Sequence, residues 1–217
     1  MNKTNTKSNK ALKIFTSIIG GLFFAICAIV ILFNITHEYH VVTGSSMEPT
    51  LNNGSTDGVF VSKIKSLQRG DIIVANKGEK DTNGKDIFVI KRLIAIGGDK
   101  IKISQIDGRC RIILILNGTE EQVVLDEPYL LNYSVNNSLK DRFSNMVDNC
   151  NLQLDDNGFL QIAQDEVFYL GDNRTVSNDC SVYGPKKREL VVGKVDYIAY
   201  GNTHAYWQVI KQVFGGR

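Results

Sequence analysis

The residues with the clearest chemical potential are one serine and one lysine, each set in a distinctive local sequence. Ser46 lies in VVTGSSMEPTL, residues 41–51, and Lys91 lies in FVIKRLIAIGGD, residues 88–99. A serine hydroxyl becomes a nucleophile when a base removes its proton. A lysine amine becomes such a base when an apolar site lowers its pKa by roughly three units. The apolar residues 88–90 can supply that site, so the pair indicates hydrolysis by a Ser-Lys mechanism.

Each segment also has a simpler interpretation. Gly44 and Pro49 suit a nucleophile on a sharp bend whose backbone N–H groups face an oxyanion, but they equally suit a polar turn between strands. Lys91 can be a strand-end residue with its amine in water. A third segment, residues 170–185, contains Ser177, which can orient the lysine amine, and Asp179, which can support the loop. Taken alone, it is typical of a surface loop with Asx turns.

The elements that must position these residues are mostly strands. Short runs rich in Val and Ile recur at 59–61, 72–75, 87–96, 101–103, 112–116, 123–125, 167–170 and 191–200. Asn-Gly and Asp-Gly pairs at 53–54, 83–84, 107–108, 117–118 and 157–158 favour tight hairpins between them. We therefore predict a mostly β, antiparallel domain, with a possible helix near Glu189 or in residues 206–214. The polar, Asn-rich segment of about 104–165 is interpreted as an insertion that caps the main sheet.

Residues 14–33 form an uncharged apolar stretch, long enough as a helix to cross about 30 Å of hydrocarbon. A cleaved secretory signal is the alternative, but its apolar core is normally shorter and ends in small residues. Residues 1–13 carry four lysines and no acid, which predicts a cytoplasmic tail, a single-pass anchor in the cell membrane and an extracytoplasmic domain over 38–217. These lysines account for the formal net charge of +2, so no nucleic-acid partner is expected.

Cysteine and histidine usage gives weaker signals. Outside the apolar stretch, Cys110 and Cys150 can form a disulfide, or these two and Cys180 can be buried thiols. The three histidines, His37, His40 and His204, have no metal-ligand spacing, so neither a metal nor another cofactor is expected. Tyr206 and Trp207 suit either the lipid interface or ordinary packing.

Together the segments closely resemble the type I signal peptidases of bacteria, in the Gram-positive form with one anchor. The family's boxes are matched, in order, by GSSMEPTL at 44–51, RGDIIV at 69–74, IKRLIAIGGD at 90–99, and GDNR at 171–174 followed by Ser177, Asp179 and Gly184. The matched parts cover about 38–103 and 165–200, and the span 104–165 adds no signal.

The resemblance implies a signal-peptidase-like catalytic domain that cleaves signal peptides from exported preproteins at the outer membrane surface, in contact with lipid. Ser46 would be the nucleophile, Lys91 the general base, Ser177 the residue that orients Lys91, and Asp179 a support. Small apolar S1 and S3 pockets would be lined by Val42, Met47, Leu51, Val89 and Ile90.

Two departures from the family pattern matter. Gly44 stands where many members have a serine whose hydroxyl assists the oxyanion. The remaining candidate donors to the oxyanion are the Ser46 N–H and, as a weaker candidate, the Ser45 hydroxyl. Ser181 stands where the family has an arginine paired with the aspartate, so Asp179 loses its ion pair unless another cation reaches it; the nearby cations in sequence are Arg174, Lys186, Lys187 and Arg188.

The second departure leaves an alternative open: a non-enzymatic or narrowly dedicated relative that assists processing or assembly of a surface protein such as a pilin. A self-cleaving repressor with the same dyad is discounted, because residues 1–37 supply no DNA-binding head.

Overall fold

The computed structural model describes residues 3–51, 57–130 and 138–199. The chain separates into two units, residues 1–38 and 39–217. The predicted Asn53-Gly54 turn, the possible helix over 206–214, His204, Tyr206 and Trp207 lie outside the described residues.

The first unit consists of one long helix, α1, Lys3–Thr36. Its segment Leu12–Thr36 is long and apolar enough to cross a membrane. The helix extends beyond the predicted 14–33 at both ends, and two polar residues at its carboxyl end bond back to its own carbonyls. Asn34 Nδ2 donates to Val30 O at 2.8 Å and Thr36 Oγ1 donates to Leu32 O at 2.8 Å. Such bonds let polar side chains remain in a helix.

The second unit is built mainly from strands, which form two sheets. The seven-stranded sheet has the order β1-β2-β11-β3-β4-β9-β10 and the four-stranded sheet has the order β7-β6-β5-β8. The strands are β1 His37–Val41, β2 Gly58–Ser62, β3 Ile72–Lys80, β4 Asp86–Ile96, β5 Lys100–Ile106, β6 Arg109–Ile115, β7 Gln122–Val124, β8 Leu160–Gln161, β9 Glu166–Leu170, β10 Lys186–Lys187 and β11 Val191–Ala199. The prediction of a mostly β, antiparallel domain after one apolar helix is confirmed.

Among its described residues, the second unit also contains two short helices, α2 Ser138–Asn149 and α3 Cys180–Tyr183. The predicted helix near Glu189 is a single 3₁₀ turn, Arg188–Leu190. The sequence prediction missed α2 because its apolar residues are sparse within a polar, Asn-rich segment. They nevertheless recur at helical spacing and are buried: Leu139, Phe143, Met146 and Val147.

The segment expected to cap the main sheet contributes most of the smaller sheet and α2. Strand β5 already begins at Lys100, four residues before the predicted start of the segment. The side chains of Ile103, Ile112 and Phe143 pack in one core with Leu93 and Phe168 of the larger sheet. The smaller sheet and α2 therefore share the main core of this unit.

All four cysteines are free thiols, which contradicts the possible Cys110–Cys150 disulfide. The alternative of three buried thiols is also wrong, because only Cys180 is buried, while Cys110 is partly exposed and Cys150 is exposed. Cys150 instead follows the last turn of α2, where its Sγ lies near Gly184.

Candidate active site

The structure brings Ser46 and Lys91 together. Lys91 Nζ donates a hydrogen bond to Ser46 Oγ at 2.7 Å and another to the carbonyl of Ile90 at 3.0 Å. Only 4% of Lys91 is exposed to solvent. The amine is therefore within proton-transfer distance of the hydroxyl and largely shielded from water.

Lys91 is held in place by the neighbours of β4. In the antiparallel pairs, Lys91 lies opposite Ile73 of β3, and the next residue, Arg92, lies opposite Leu170 of β9. Strand β9 ends at Leu170, so the chain that follows it, from Gly171, begins beside Lys91. The sheet register thus explains why two motifs distant in sequence form one site.

Burial changes the acid–base chemistry of the lysine. Desolvation lowers the pKa of Lys91 from 10.5 to about 8, and the negative charge of Asp179 opposes this shift. The sequence argument required a fall to near neutrality. Burial in the described structure accounts for most of that fall.

The segment around Ser46 is a tight bend fixed to the core. Gly44 has φ of +88°, a conformation that favours glycine. The amide of Glu48 donates to Ser45 O at 3.2 Å and the amide of Leu51 donates to Met47 O at 2.9 Å. Ser45 and Ser46 remain partly exposed on this bend.

The loop after β9, residues 171–179, packs directly on the bend. The amide of Asn173 donates to the carbonyl of Ser46 at 3.0 Å. A Cβ at position 171 would overlap with Ser46 O and with Ser177 Oγ. Gly171 is therefore required for the close approach of this loop to Ser46.

Ser177 lies in this loop, 3% exposed, with its hydroxyl beside Gly171. Within the described residues, Ser177 Oγ has no hydrogen-bond partner, and the bond to Lys91 expected from the sequence is not formed. A buried hydroxyl without a partner is uncommon and is consistent with a group that gains its partner during the reaction.

Asp179 is fully buried and caps α3. Its carboxylate accepts from the Ser181 amide at 3.0 Å, the Ser181 hydroxyl at 2.7 Å and the Gly171 amide at 2.9 Å. Its cationic partner is Arg142 of α2, with Nη2 at 3.4 Å from Oδ1. Ser181 therefore bonds the carboxylate directly, and the charge comes from the inserted segment.

None of the four cations suggested by the sequence hydrogen-bonds to Asp179 in the described structure. Arg174 pairs instead with Glu127, and Lys187 pairs with Asp165 and Glu166. Arg142 gave no sequence signal, because it is distant along the chain and lies in a segment without recognisable motifs.

Asp172 joins three of the motifs, a role not foreseen from the sequence. Its buried carboxylate accepts from Arg92 Nε at 2.8 Å and Arg92 Nη2 at 2.7 Å. It also accepts from Thr50 Oγ1 at 2.5 Å. The serine bend, the lysine strand and the loop after β9 therefore meet at one carboxylate.

The second sequence box supports the lysine strand from its other end. The amide of Gly70 donates to Leu93 O at 2.7 Å, and the Leu93 amide donates to Asp71 O at 2.8 Å. Arg69 forms a two-bond ion pair with Asp99, at 2.7 and 2.5 Å. The first half of this box therefore fixes β4, while Ile73 in its second half pairs directly with Lys91.

A cleft of about 100 Å³ opens beside the dyad. Four of the five residues predicted to line the substrate pockets do line it: Val42, Met47, Val89 and Ile90. Leu51 is fully buried in the core behind Met47 and is not among the lining residues. Gly44 is part of the lining, and Ser45 is not.

Comparison with known proteins relates this chain to one family. The family described as signal peptidase, peptidase S26, matches residues 15–200. Signal peptidase I of Bacillus caldolyticus is 31% identical over 180 residues, covering 81% of this chain and 86% of that protein. Signal peptidase IB of Staphylococcus aureus is 29% identical over 160 residues, covering 73% of this chain and 75% of that protein. A crystal structure of a signal peptidase I from Enterococcus faecalis V583 has 28% sequence identity and a TM-score of 0.39, covering 61% of this chain and 99% of that one.

Proposed function

Because the chain belongs to the signal peptidase family, peptidase S26, we propose that it cleaves signal peptides from exported preproteins with a catalytic dyad of Ser46 and Lys91. The family makes the chain a serine endopeptidase, a hydrolase, as predicted from its sequence boxes. The observation that carries the dyad is the 2.7 Å separation of Lys91 Nζ and Ser46 Oγ at a lysine that is almost fully buried.

In the acylation step, neutral Lys91 accepts the proton of the Ser46 hydroxyl while Oγ attacks the carbonyl carbon of the scissile peptide bond. The carbonyl oxygen becomes an oxyanion, for which the Ser46 N–H on the glycine-initiated bend is the main proposed donor. The lysine ammonium then gives its proton to the departing amine. A water molecule, deprotonated by the same lysine, releases the signal peptide from Ser46.

The buried loop assists the protonation cycle. An ammonium has three N–H donors, and two of those on Lys91 already bond Ser46 and Ile90. We assign the unpartnered Ser177 hydroxyl to the third when the ammonium forms, while Asp179 maintains the loop that carries Ser177. This assignment follows from the burial of Ser177 Oγ next to the Ser46 carbonyl.

The cleft limits the substrate. Its volume of about 100 Å³ and its apolar side chains favour small residues such as alanine at positions −1 and −3 of the cleavage site. Val42, Met47, Val89 and Ile90 supply the apolar walls, and Leu51 supports Met47 from behind. A large side chain at −1 would not fit a cleft of this volume.

The site would act outside the cytoplasm, at the membrane from which exported chains emerge. The apolar segment Leu12–Thr36 would remain as a single-pass anchor, with residues 1–13 in the cytoplasm and residues 38–217 on the other side. Signal peptides are themselves apolar, so an anchored enzyme and its substrate would meet in the same lipid layer.

Replacement of Ser46 by alanine tests the proposed function. The purified full-length chain in detergent micelles should cleave a preprotein with Ala at −3 and −1, and Ser46→Ala should lower kcat by at least about 10³-fold. Ser45→Ala is the matched control, because the neighbouring hydroxyl lies outside the cleft lining. It should retain at least about a tenth of the activity.

Unchanged cleavage by Ser46→Ala would contradict the dyad. Equal losses for both serine variants, with folding intact, would mean that the bend matters but that Ser46 is not the nucleophile. The non-enzymatic alternative loses its main support, because Asp179 has a cationic partner after all, Arg142.

A further inference from the structure

One guanidinium of the inserted segment reaches into the loop that completes the candidate active site. Arg142 Nη1 donates to the carbonyl of Arg174 at 2.7 Å. Its Nη2 donates to the carbonyl of Ser177 and lies 3.4 Å from Asp179 Oδ1. We propose that Arg142 is a positioning residue for catalysis, which holds the Ser177 loop against the Ser46 bend from outside the sheet. This inference rests on the proposed function.

Several contacts hold this loop, and those of Arg142 are distinct because they reach two of its backbone carbonyls from another element. Between Gly171 and Asp179 it contains no regular element, and its carbonyls need donors. The amides of Val176 and Ser177 both donate to Asn173 O, and Arg174 Nε donates to Gly171 O at 2.9 Å. The carbonyls of Arg174 and Ser177 are satisfied by Arg142. Loss of this side chain would leave two carbonyls of the loop without their donors.

The position of Arg142 is itself determined by packing. Its neighbour on α2, Phe143, is buried in the main core, with its ring 6.2 Å from that of Phe168 on β9. Leu139 and Met146 of the same helix are buried as well. Because α2 is fixed against the strand that leads into the loop, the guanidinium of Arg142 is held in one place and can donate from two nitrogens at fixed positions.

A chain of contacts connects the guanidinium of Arg142 to Ser46, the proposed nucleophile. Arg142 binds Ser177 O, the Ser177 side chain lies at Gly171, and the Asn173 amide binds Ser46 O at 3.0 Å. Arg142 does not line the cleft, so it does not contact a substrate there. Its loss should therefore reduce kcat and leave KM nearly unchanged. Misplacement of a catalytic group by about 1 Å can cost on the order of 10²-fold in rate.

The charge of Arg142 gives a second readout. Lys91 faces Asp179, Cys180 and Asp172, and the carboxylate of Asp179 raises its pKa against the effect of burial. Arg142 partly neutralises Asp179, while Gly171 and Ser181 contribute only neutral donors. Removal of the positive charge should move the acid limb of the kcat/KM profile to higher pH. A purely stabilising side chain would not shift this limb in the folded enzyme.

The test compares Arg142→Gln, Arg142→Lys and Lys140→Gln in the full-length enzyme in detergent micelles, with a fluorogenic peptide that has Ala at −3 and −1. Arg142→Gln should lower kcat by about 10- to 100-fold and shift the acid limb upward. Arg142→Lys keeps the positive charge but not the two donor nitrogens of the guanidinium. For this variant kcat should therefore fall, while the acid limb of the kcat/KM profile stays at its wild-type pH. Lys140 is exposed on the same helix, and Lys140→Gln should change neither quantity.

The possible outcomes separate this inference from the proposed function. Wild-type kcat and an unshifted limb in folded Arg142→Gln would overturn the role of Arg142, while inactive Ser46→Ala would still support the dyad. If Arg142→Gln does not fold, Arg142→Lys decides: reduced kcat supports the role, and unchanged kcat overturns it. An active Ser46→Ala variant would instead contradict the proposed function itself.

Discussion

At the scale of single residues, the site depends on how one lysine is solvated. Lys91 was recognisable from the sequence because it follows the apolar residues 88–90 and lies in a segment that resembles a family box. Its burial could not be read from those neighbours, because it arises when the bend at Ser46 and the loop at Gly171 close over β4. The resulting pKa of about 8 brings the amine most of the way to the neutral form that the proposed mechanism requires.

The burial of Lys91 should also lower the free energy of unfolding. In the folded chain the pKa of Lys91 is about 8, below the ordinary 10.5. As the pH rises, Lys91 therefore loses its proton in the folded chain before it does so in the unfolded chain. Stability should therefore rise as the pH increases from about 8 to 10.5, and the full cost, at most about 3 kcal/mol, applies below pH 8. Lys91→Met should be inactive and more stable than the wild type at pH 7, by about 1–3 kcal/mol, with a gain that shrinks towards pH 10.5.

Chemical denaturation in detergent micelles at pH 7 and pH 10.5 measures this difference. Lys140→Met is the control, because Lys140 is exposed and its replacement should produce no pH-dependent gain. A Lys91→Met variant less stable than the wild type at pH 7 would show that the amine stabilises the fold.

At the scale of elements, the sequence predicted strands well and their long-range partners poorly. Apolar runs and Asn-Gly or Asp-Gly pairs located β2 to β7, β9 and β11, because strand and turn signals are local. Strands β8 and β10 have only two residues each, too few for a periodic signal. The helix α2 has apolar residues at helical spacing, but they are too sparse to stand out in an Asn-rich segment. The pairing of Arg142 with Asp179 depends on packing between distant segments, which no local pattern encodes.

The loop after β9 offers a sharp test at this scale. Gly171→Ala would place a methyl group against the Ser46 carbonyl and the Ser177 side chain. The loop would have to withdraw from the bend, and the Asn173–Ser46 bond at 3.0 Å would lengthen. We expect kcat to fall by about 10²-fold with the overall fold retained.

Peptide cleavage and near-UV circular dichroism of the full-length chain measure the two effects of Gly171→Ala. Val176→Ala is the matched variant in the same loop, since Val176 is exposed, and it should behave as the wild type. Full activity of Gly171→Ala would mean that the close contact between loop and bend is dispensable.

At the scale of the whole molecule, charge at one end of the anchor should set the orientation of the chain. Residues 1–13 contain Lys3, Lys7, Lys10 and Lys13, and the apolar segment that follows is uncharged up to Glu38. Replacement of these lysines by glutamate should invert part of the population, because basic flanks are retained in the cytoplasm. The second unit of the inverted molecules would then be shielded from protease added to wall-stripped bacterial cells.

The fraction of the second unit that survives this protease measures orientation. Four exposed lysines of that unit serve as the control, replaced by glutamate together: Lys63, Lys80, Lys85 and Lys140. They lie far from the anchor in sequence and should leave the protected fraction unchanged. Equal protection of both variants and the wild type would contradict an orientation set by the amino-terminal lysines.

The core shared by the two sheets has a consequence for engineering. Ile103, Ile112 and Phe143 pack with Leu93 and Phe168, so residues 100–162 cannot be exchanged like a detachable module. A chimera that received the corresponding stretch of a relative would need an apolar surface of matching shape and a guanidinium at the position of Arg142. Grafts that meet only the first requirement should yield well-folded proteins that turn over slowly.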